Sequence, residues 1–390
     1  MTTYTQRATA AFLLLLMAGF TACQTQDPSA RAPGSATPSA PAALAERDRP
    51  FTLVASGDVL PHDSIIRQAR ADAGGTGYDF RPMLAGVTPV VSQADVAICH
   101  METVYGTDGQ YTGYPLFRSP PEVAEALAAT GYDTCSTASN HTLDAGAAGI
   151  HRTLDALDRA GVQHSGSART AGEAAGTTML RAGSAQIAHL SYTYGTNGIP
   201  LPEGRPWAVN LIDADRILAD ARAARGKGAD VVVVSVHWGS EWQEAPDAQQ
   251  LDLGSRLTAA RTGGRPDIDL VLGTHAHVPQ AYEKVNGTWI VYGMGDQIAG
   301  AMVNHQGAHD PRGNESSIAR FTFSPPAHEG ARWEVTKAEF VPQWFDVGTN
   351  RVVNLNSALA QGADVGAVRD RIREVVLSRG AAQDGLVMAE

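Results

Sequence analysis

Five segments of this chain end an apolar run in side chains that bind metal ions. Asp269-Leu-Val-Leu-Gly-Thr-His-Ala-His-Val-Pro-Gln280 reads as a buried strand whose Gly-Thr turn delivers His275 and His277. Gly57-Asp58 closes the run that starts at Phe51, and His100-Met-Glu102-Thr closes the run from Ala94. Ser139-Asn140-His141-Thr-Leu-Asp144 follows a third strand, and His237-Trp-Gly-Ser-Glu241 follows four consecutive valines. Carboxylate, carboxamide and imidazole donors together suit borderline divalent ions such as Mn, Fe or Zn better than Ca. The donors exceed what one tetrahedral ion takes. They fit two ions ~3.5–4 Å apart, a pair that polarises a phosphoryl oxygen and holds both the attacking and the leaving oxygen of a displacement. Each residue alone has a plainer role: Asp58 as a turn residue or helix cap, Asn140 in an Asx-turn, His237 as a core histidine against Trp238, Glu102 at a strand end. Their repetition at successive strand ends is what points to a metal site.

The elements that must position them alternate. Predicted strands begin at Phe51, Ala94, Tyr132, Gly161, Gln186, Asp230 and Asp269, with predicted helices over Glu122–Thr130, Ala147–Ala160, Asp213–Arg225 and Gln249–Arg261. Such alternation gives an α/β fold with a mainly parallel sheet, and ligands in such sheets sit at the carboxyl ends of the strands. The five donor sets then converge on one sheet edge. After Gln280 the pattern changes: Asn286-Gly287 between two alternating runs is a hairpin signature, and Ser316–Phe323 and Arg332–Phe340 alternate like antiparallel strands. Val365–Leu377 has the spacing of an amphipathic helix.

The chain has 390 residues and a net charge of −11 without a Lys/Arg cluster, which argues against general nucleic-acid binding. Residues 1–23 read as a lipoprotein signal peptide: Arg7, an apolar stretch from Ala10 to Phe20, then Phe20-Thr-Ala-Cys23, which resembles a bacterial lipobox with Cys23 as the lipidated residue. The expected location is the cell surface, exported and anchored by lipid to the bacterial membrane. Residues 24–50, rich in Pro, Ala and Ser, read as a disordered tether. Residues 51–345 form the expected folded domain, and 346–390 a C-terminal extension with a helix. Cys99 and Cys135 lie in predicted strands and read as small buried hydrophobes, since a cross-link between adjacent strands tends to be strained.

Gly57-Asp58, His100-Met-Glu102-Thr, Phe117-Arg-Ser-Pro-Pro-Glu122, Ala138-Ser-Asn-His-Thr-Leu-Asp-Ala-Gly146, Val236-His-Trp-Gly239 and Gly273-Thr-His-Ala-His-Val-Pro-Gln280 resemble, in order, the motifs of the CapA family. These are poly-gamma-glutamate capsule synthesis proteins of the calcineurin-like metallophosphatase superfamily, and the resemblance runs from about Phe51 to about Phe323. It implies a four-layer α/β/β/α sandwich with a mainly parallel first sheet and a mixed second one. It implies that Asp58 and His277 hold a first ion, that Glu102 bridges, and that Asn140, His237 and His275 hold a second. His141 would protonate the leaving group, oriented by Asp144, and Arg118 would bind an anionic group or cap the domain.

The implied activity is dinuclear metal-dependent phosphoester hydrolysis linked to capsule or poly-gamma-glutamate synthesis, with an anionic substrate and polyglutamate synthesis or export proteins as partners. The alternative is a non-catalytic surface factor for assembly or export of an anionic polymer. A polymer would need an open basic groove, with Arg67, Arg70, Arg81 and Arg118 as candidates; a small phosphoester would need a narrow pocket over Glu102 and His141. Three departures bear on the site. Leu60 stands where the superfamily places a histidine, with His62 as a nearby substitute. His100 stands where the family has Asn and is read as a packing residue facing away from its neighbour. Gly293-Met-Gly-Asp296-Gln adds an anion, Asp296, which could compensate for the missing histidine or disfavour an anionic substrate.

Overall fold

A computed structural model describes residues 49–328 and 331–389. Cys23, the signal peptide and most of the tether lie outside the described residues. Among the described residues seventeen strands follow in chain order: β1 (Phe51–Val59), β2 (Val96–Met101), β3 (Thr134–Ser136), β4 (Gln163–Ser165), β5 (Thr178–Ala182), β6 (Ala185–Thr193), β7 (Val231–His237), β8 (Arg261–Thr262), β9 (Arg265–Pro266), β10 (Leu270–Thr274), β11 (Tyr282–Val285), β12 (Thr288–Val291), β13 (Asp296–Ile298), β14 (Glu315–Ser324), β15 (Glu334–Asp346), β16 (Arg351–Asn354) and β17 (Leu386–Met388). The first sheet runs β16-β15-β14-β1-β2-β3-β4, with β13 also on β1 and β17 on β15. Its β1 to β4 half is parallel, and β14, β15 and β16 are antiparallel. The second sheet runs β11-β12-β10-β7-β6-β5, parallel from β12 to β6 with antiparallel edges. Strands β8 and β9 pair only with each other.

The valines of β7 show why two sheets form. Val231 and Val233 face an inner core with Leu53, Ala55, Ile98, Leu270 and Leu272, while Val232, Val234 and Val236 face an outer core with Ile217, Ala221 and Leu257. A strand apolar on both faces has to be covered on both. The outer face is covered by helices Ala214–Gly226 and Ala248–Ala259, and the outer face of the first sheet by Asp63–Asp72, Glu122–Thr130 and Gly146–Ala160. The layers are therefore helices, sheet, sheet, helices, the four-layer sandwich expected above. One expectation changes: the donor sets do not share a sheet edge. Those of β1, β2 and β3 belong to one sheet and those of β7 and β10 to the other, and the carboxyl ends of the two sheets meet.

The Asn286-Gly287 turn forms as read, with both residues at positive φ (52° and 84°) joining β11 to β12. The predicted tail helix forms over Gly366–Leu377, and its Ile372 and Val376 enter the inter-sheet core. Cys99 and Cys135 depart from expectation: they form a disulfide. They are register partners on adjacent parallel strands with Cα atoms 4.4 Å apart, within the span a disulfide bridges. Replacing both by Ser should lower unfolding free energy by about 3–4 kcal/mol, from the chain-entropy cost of freeing a loop of this length. Urea denaturation under oxidising conditions checks this, and an unchanged midpoint would refute it.

Candidate metal centre

Asp58 reaches the centre through a fault in its strand. Ala55 pairs with Ile98 but Asp58 pairs with His100, so β1 carries one extra residue over that interval. A bulge of this kind re-aims the side chains beyond it. Phe51, Leu53 and Ala55 face the inter-sheet core, and the extra residue puts Asp58 on that same face. Gly57 permits this because β13 crosses against it: a Cβ there would lie 1.7 Å from the Gly295 carbonyl oxygen.

The other donors arrive from both sheets. His237, on the face of β7 shared with Val231 and Val233, bonds Thr274 Oγ1 through Nδ1 (3.0 Å) and Asn140 Oδ1 through Nε2 (2.9 Å). The Glu102 Oε1 atom is 3.8 Å from His237 Nε2. Gly273 and Thr274 are not a turn as read but the last residues of β10, and the turn that follows them holds His275 and His277 at φ 96° and 58°, left-handed values that side chains seldom adopt. Each costs about 1–3 kcal/mol and persists only where the surroundings impose it. The His275 amide donates to Asp58 Oδ2 (3.2 Å), and His277 Nδ1 bonds Asp296 Oδ1 (2.9 Å).

Metal-compatible groups follow from these positions. Glu102, His237 and His275 form one trio and Asp58, His277 and Asp296 another, while Asp58, His100 and His237, and Glu241, His275 and His277, form two more that overlap them. Six buried polar atoms around this point have no hydrogen-bond partner: Asp58 Oδ1, His100 Nε2, both Glu102 oxygens, His275 Nδ1 and Asp296 Oδ2. Buried polar atoms are nearly always satisfied, so a convergent set of orphans calls for a ligand. The electrostatics agree. Burial pushes the Asp58 carboxyl up to about 8, with Asp296 adding to it. Burial and then Asp58 raise Glu102, and burial raises Asp296. Burial lowers His237 and His275 and holds His100 at about 3. Burial also opposes charge on His277, but the bonded Asp296 outweighs it and raises this histidine, helped by Glu102 and Asp58. Carboxyls kept from ionising beside the neutral imidazoles of His100, His237 and His275, and a protonated His277, are the arrangement a divalent cation reverses, since its charge favours the carboxylates and its coordination needs the imidazole lone pairs.

The sequence of residues 52–301 matches the family described as bacterial capsule synthesis protein PGA_cap. The chain belongs to that family. The "probable polyglutamine synthesis accessory protein" of Mycobacterium tuberculosis is 29% identical over 245 residues, 60% of this chain and 62% of that protein. Capsule biosynthesis protein CapA of Bacillus anthracis is 26% identical over 181 residues, 45% of this chain and 42% of that one. The matches therefore span less than two thirds of these relatives' length. Among solved structures, a 5'-nucleotidase precursor from Thermus thermophilus aligns over 82% of this chain and 59% of its own at 16% identity and a TM-score of 0.45. NAD nucleotidase from Haemophilus influenzae aligns over 87% and 64% at 12% identity and a TM-score of 0.43. At these scores the likeness decides nothing about the site.

Beside the metal-compatible groups lies a cleft of about 460 Å³, lined among others by Leu60, His62, Tyr114, Phe117, His141, Glu241, Trp242, His277, Met302 and His305. His141 Nδ1 bonds Asp144 Oδ2 (2.7 Å), and the Phe117 amide donates to the same oxygen (2.7 Å), so the carboxylate and the ring are both fixed. Eight of the residues singled out from the sequence, Asp58, Glu102, Asn140, His141, Asp144, His237, His275 and His277, come together here. Arg118 does not line the cleft; its backbone bonds Thr112 in both directions (2.9 and 3.1 Å). Leu60 packs with Phe117, Ala299 and Met302, and His62 lines the cleft at 5.0 Å from the Phe117 ring without joining any of the metal-compatible groups. His100 does not face away as expected: alternation along β2 puts it on the inner face with Val96 and Ile98, and the bulge in β1 brings Asp58 to that face, with His100 Nε2 3.5 Å from Asp58 Oδ1. Glu241 was read as the end of the donor segment after β7 but given no ion to hold, and Tyr194, whose ring lies 4.6 Å from that of His275, was not singled out. The Glu241 signal was present in the strand-end pattern; nothing local marks Tyr194.

Proposed function

We propose that this protein is a metal-dependent hydrolase of phosphoesters that serves capsule or poly-gamma-glutamate synthesis. The observation that carries this is the convergence of orphaned donors from two sheets beside a cleft that also holds a carboxylate-fixed histidine. In this reading Glu102, His237 and His275, with Asn140 beside them, hold one divalent ion, and Asp58, His277 and Asp296 the other; Mn, Fe and Zn suit the donor set. When bound, such ions supply Lewis acidity at a phosphoryl oxygen. His141, with Nδ1 committed to Asp144, keeps Nε2 for a proton passed to the leaving oxygen. Asp144 orients that ring. Phe117 and Trp242 narrow the cleft and limit water around the reacting group.

No Lys or Arg lines the cleft among the described residues. Arg81 is tied to Asp79 (2.8 Å) and Arg70 to the Gly75 carbonyl (3.3 Å), and neither lines the cleft. That favours a compact substrate over direct handling of a polyanion.

We further propose that the protein is exported and lipid-anchored through Cys23, with membrane-bound synthesis or export proteins as partners. The lipobox-like Phe20-Thr-Ala-Cys23 supports this. Among the described residues no helix is long and apolar enough to cross a membrane. A Cys23→Ser variant is expected in the soluble or precursor fraction, and unchanged membrane association after a salt wash would count against anchoring at this residue.

The deciding experiment is elemental analysis of the purified protein before and after manganese loading, with a generic phosphoester assay on the same samples. About two ions per chain with turnover is the result expected; one ion or none, without turnover, would refute the hydrolase reading. His141→Ala is expected to lower kcat by about 10²–10⁴-fold, the usual range for a positioned acid, with metal content intact. Unaltered kcat in that variant would remove His141 from the chemistry.

A further inference from the structure

We infer that His100 is itself a metal ligand, so that the centre uses an imidazole from β2 in addition to those of β7 and the turn after β10. This rests on the metal-centre reading above and adds a ligand to it. The ring of His100 is buried and lies 4.8 Å from the ring of His237, stacked at 26°. Its Nδ1 is 2.7 Å from Ser136 Oγ, and the same hydroxyl donates to the Cys99 carbonyl (3.3 Å). A hydroxyl has one hydrogen; with that hydrogen on the carbonyl, Ser136 Oγ accepts from Nδ1–H. The other nitrogen, Nε2, then carries a lone pair.

That lone pair has no partner and faces an equally unpartnered acceptor: Nε2 is 3.5 Å from Asp58 Oδ1. When the Asp58 carboxyl is ionised, two acceptors face one another in a buried site and repel, and the pair becomes favourable when a cation stands near both. His237 Nδ1 lies 4.0 Å from the same Asp58 oxygen, completing the trio of Asp58, His100 and His237. Fixing a histidine's distal N–H by a hydroxyl or carbonyl is how proteins set the tautomer of a metal-binding imidazole. Ser136 is therefore a positioning residue, and the strand register that pairs His100 with Ser136 builds it in.

The test uses the cobalt-substituted full-length protein. Each coordinated histidine with a protonated distal nitrogen gives one exchangeable, strongly shifted proton signal in the NMR spectrum. His100→Asn is the informative variant, because its amide can keep the Ser136 bond while lacking the atom that faces Asp58. The expected result is one shifted signal fewer than in wild type, with a fall of tenfold or more in affinity for one of the ions. An unchanged number of shifted signals would overturn the inference and leave His100 as a hydrogen-bonded neighbour of Asp58. If the variant does not fold, zinc titration of uniformly ¹⁵N-labelled wild type decides. His100 Nε2 should move from the shift of a free acceptor nitrogen to that of a metal-bound one, and a nitrogen that stays put refutes it. Wild type that takes up no metal would instead refute the metal-centre reading, so the two failures are separable.

Discussion

Glu102→Gln is expected to abolish measurable phosphoester turnover, by at least about 10³-fold, and to reduce bound metal from two ions per chain to one or none. The side chain is fully buried at the end of β2, both its oxygens lack partners, and His237 stands 3.8 Å from one of them. Gln keeps the shape and removes the charge, so what is lost is the anion rather than packing. The same change has an opposite effect without metal. Burial raises Glu102, and with it Asp58 to about 8, so the folded protein holds protons that the unfolded chain has released. For carboxyls raised in the folded state, stability is full below their ordinary pKa near 4 and is lost as pH climbs through the folded value. The lowered histidines His100, His237 and His275 work the other way up to their ordinary pKa near 6.5, so metal-free protein should melt at falling temperature between about pH 6.5 and pH 8. Glu102→Gln should flatten that slope and melt higher than wild type at pH 8, whereas manganese should stabilise wild type strongly and the variant weakly. Scanning calorimetry with and without metal, at several pH values, separates these cases. A metal-free variant that melts no higher than wild type at pH 8 would contradict the account of the site as an uncompensated cluster of acids.

Much of this site is legible in the chain because its donors follow apolar runs, and strand ends in α/β folds are where ligands collect. His237, His275, His277, Asn140 and Glu102 could be placed on that ground alone. His141 and Asp144 were legible as a motif, and the structure joins them by a 2.7 Å bond. What was not legible depends on register. Alternation along β2 puts His100 on the face of Val96 and Ile98, whereas its meeting with Asp58 on that face is set by the extra residue in β1. Asp296 could be named as an extra anion, but its pairing opposite Asp58 requires β13, three residues long and without any periodicity to read. The division of donors between two sheets has the same cause. Local pattern predicts a strand and its buried faces, and only the tertiary pairing says which sheet it joins. The disulfide also turned on register, since Cys99 and Cys135 meet because β2 and β3 align them side by side.

Gly57→Ala tests that dependence on register most severely. An added methyl group would lie 1.7 Å from the Gly295 oxygen and 2.9 Å from its carbon, both backbone atoms that cannot rotate away. The collision falls where Asp58 N bonds Gly295 O (3.0 Å) and where Asp58 and Asp296 sit side by side on β1 and β13. Relief therefore means moving β13, and with it Asp296 and its bonded partner His277. Overpacking in a close-packed interior usually costs about 1–3 kcal/mol, occasionally more, and a backbone clash of this depth belongs at or above the upper end, at about 3–5 kcal/mol. The loss of metal should be selective. The Asp58–His277–Asp296 trio would be disordered, while Glu102, His237 and His275, held by β2, β7 and the turn after β10, should keep one ion. A suitable control is Gly226→Ala, at the end of helix Ala214–Gly226, where an added methyl group meets nothing within 4 Å. It should be neutral or stabilising by up to about 1 kcal/mol. Urea denaturation gives the stabilities and elemental analysis the metal count. A Gly57→Ala protein with wild-type stability and two ions would show that β13 yields freely, and would detach Asp296 from the metal centre.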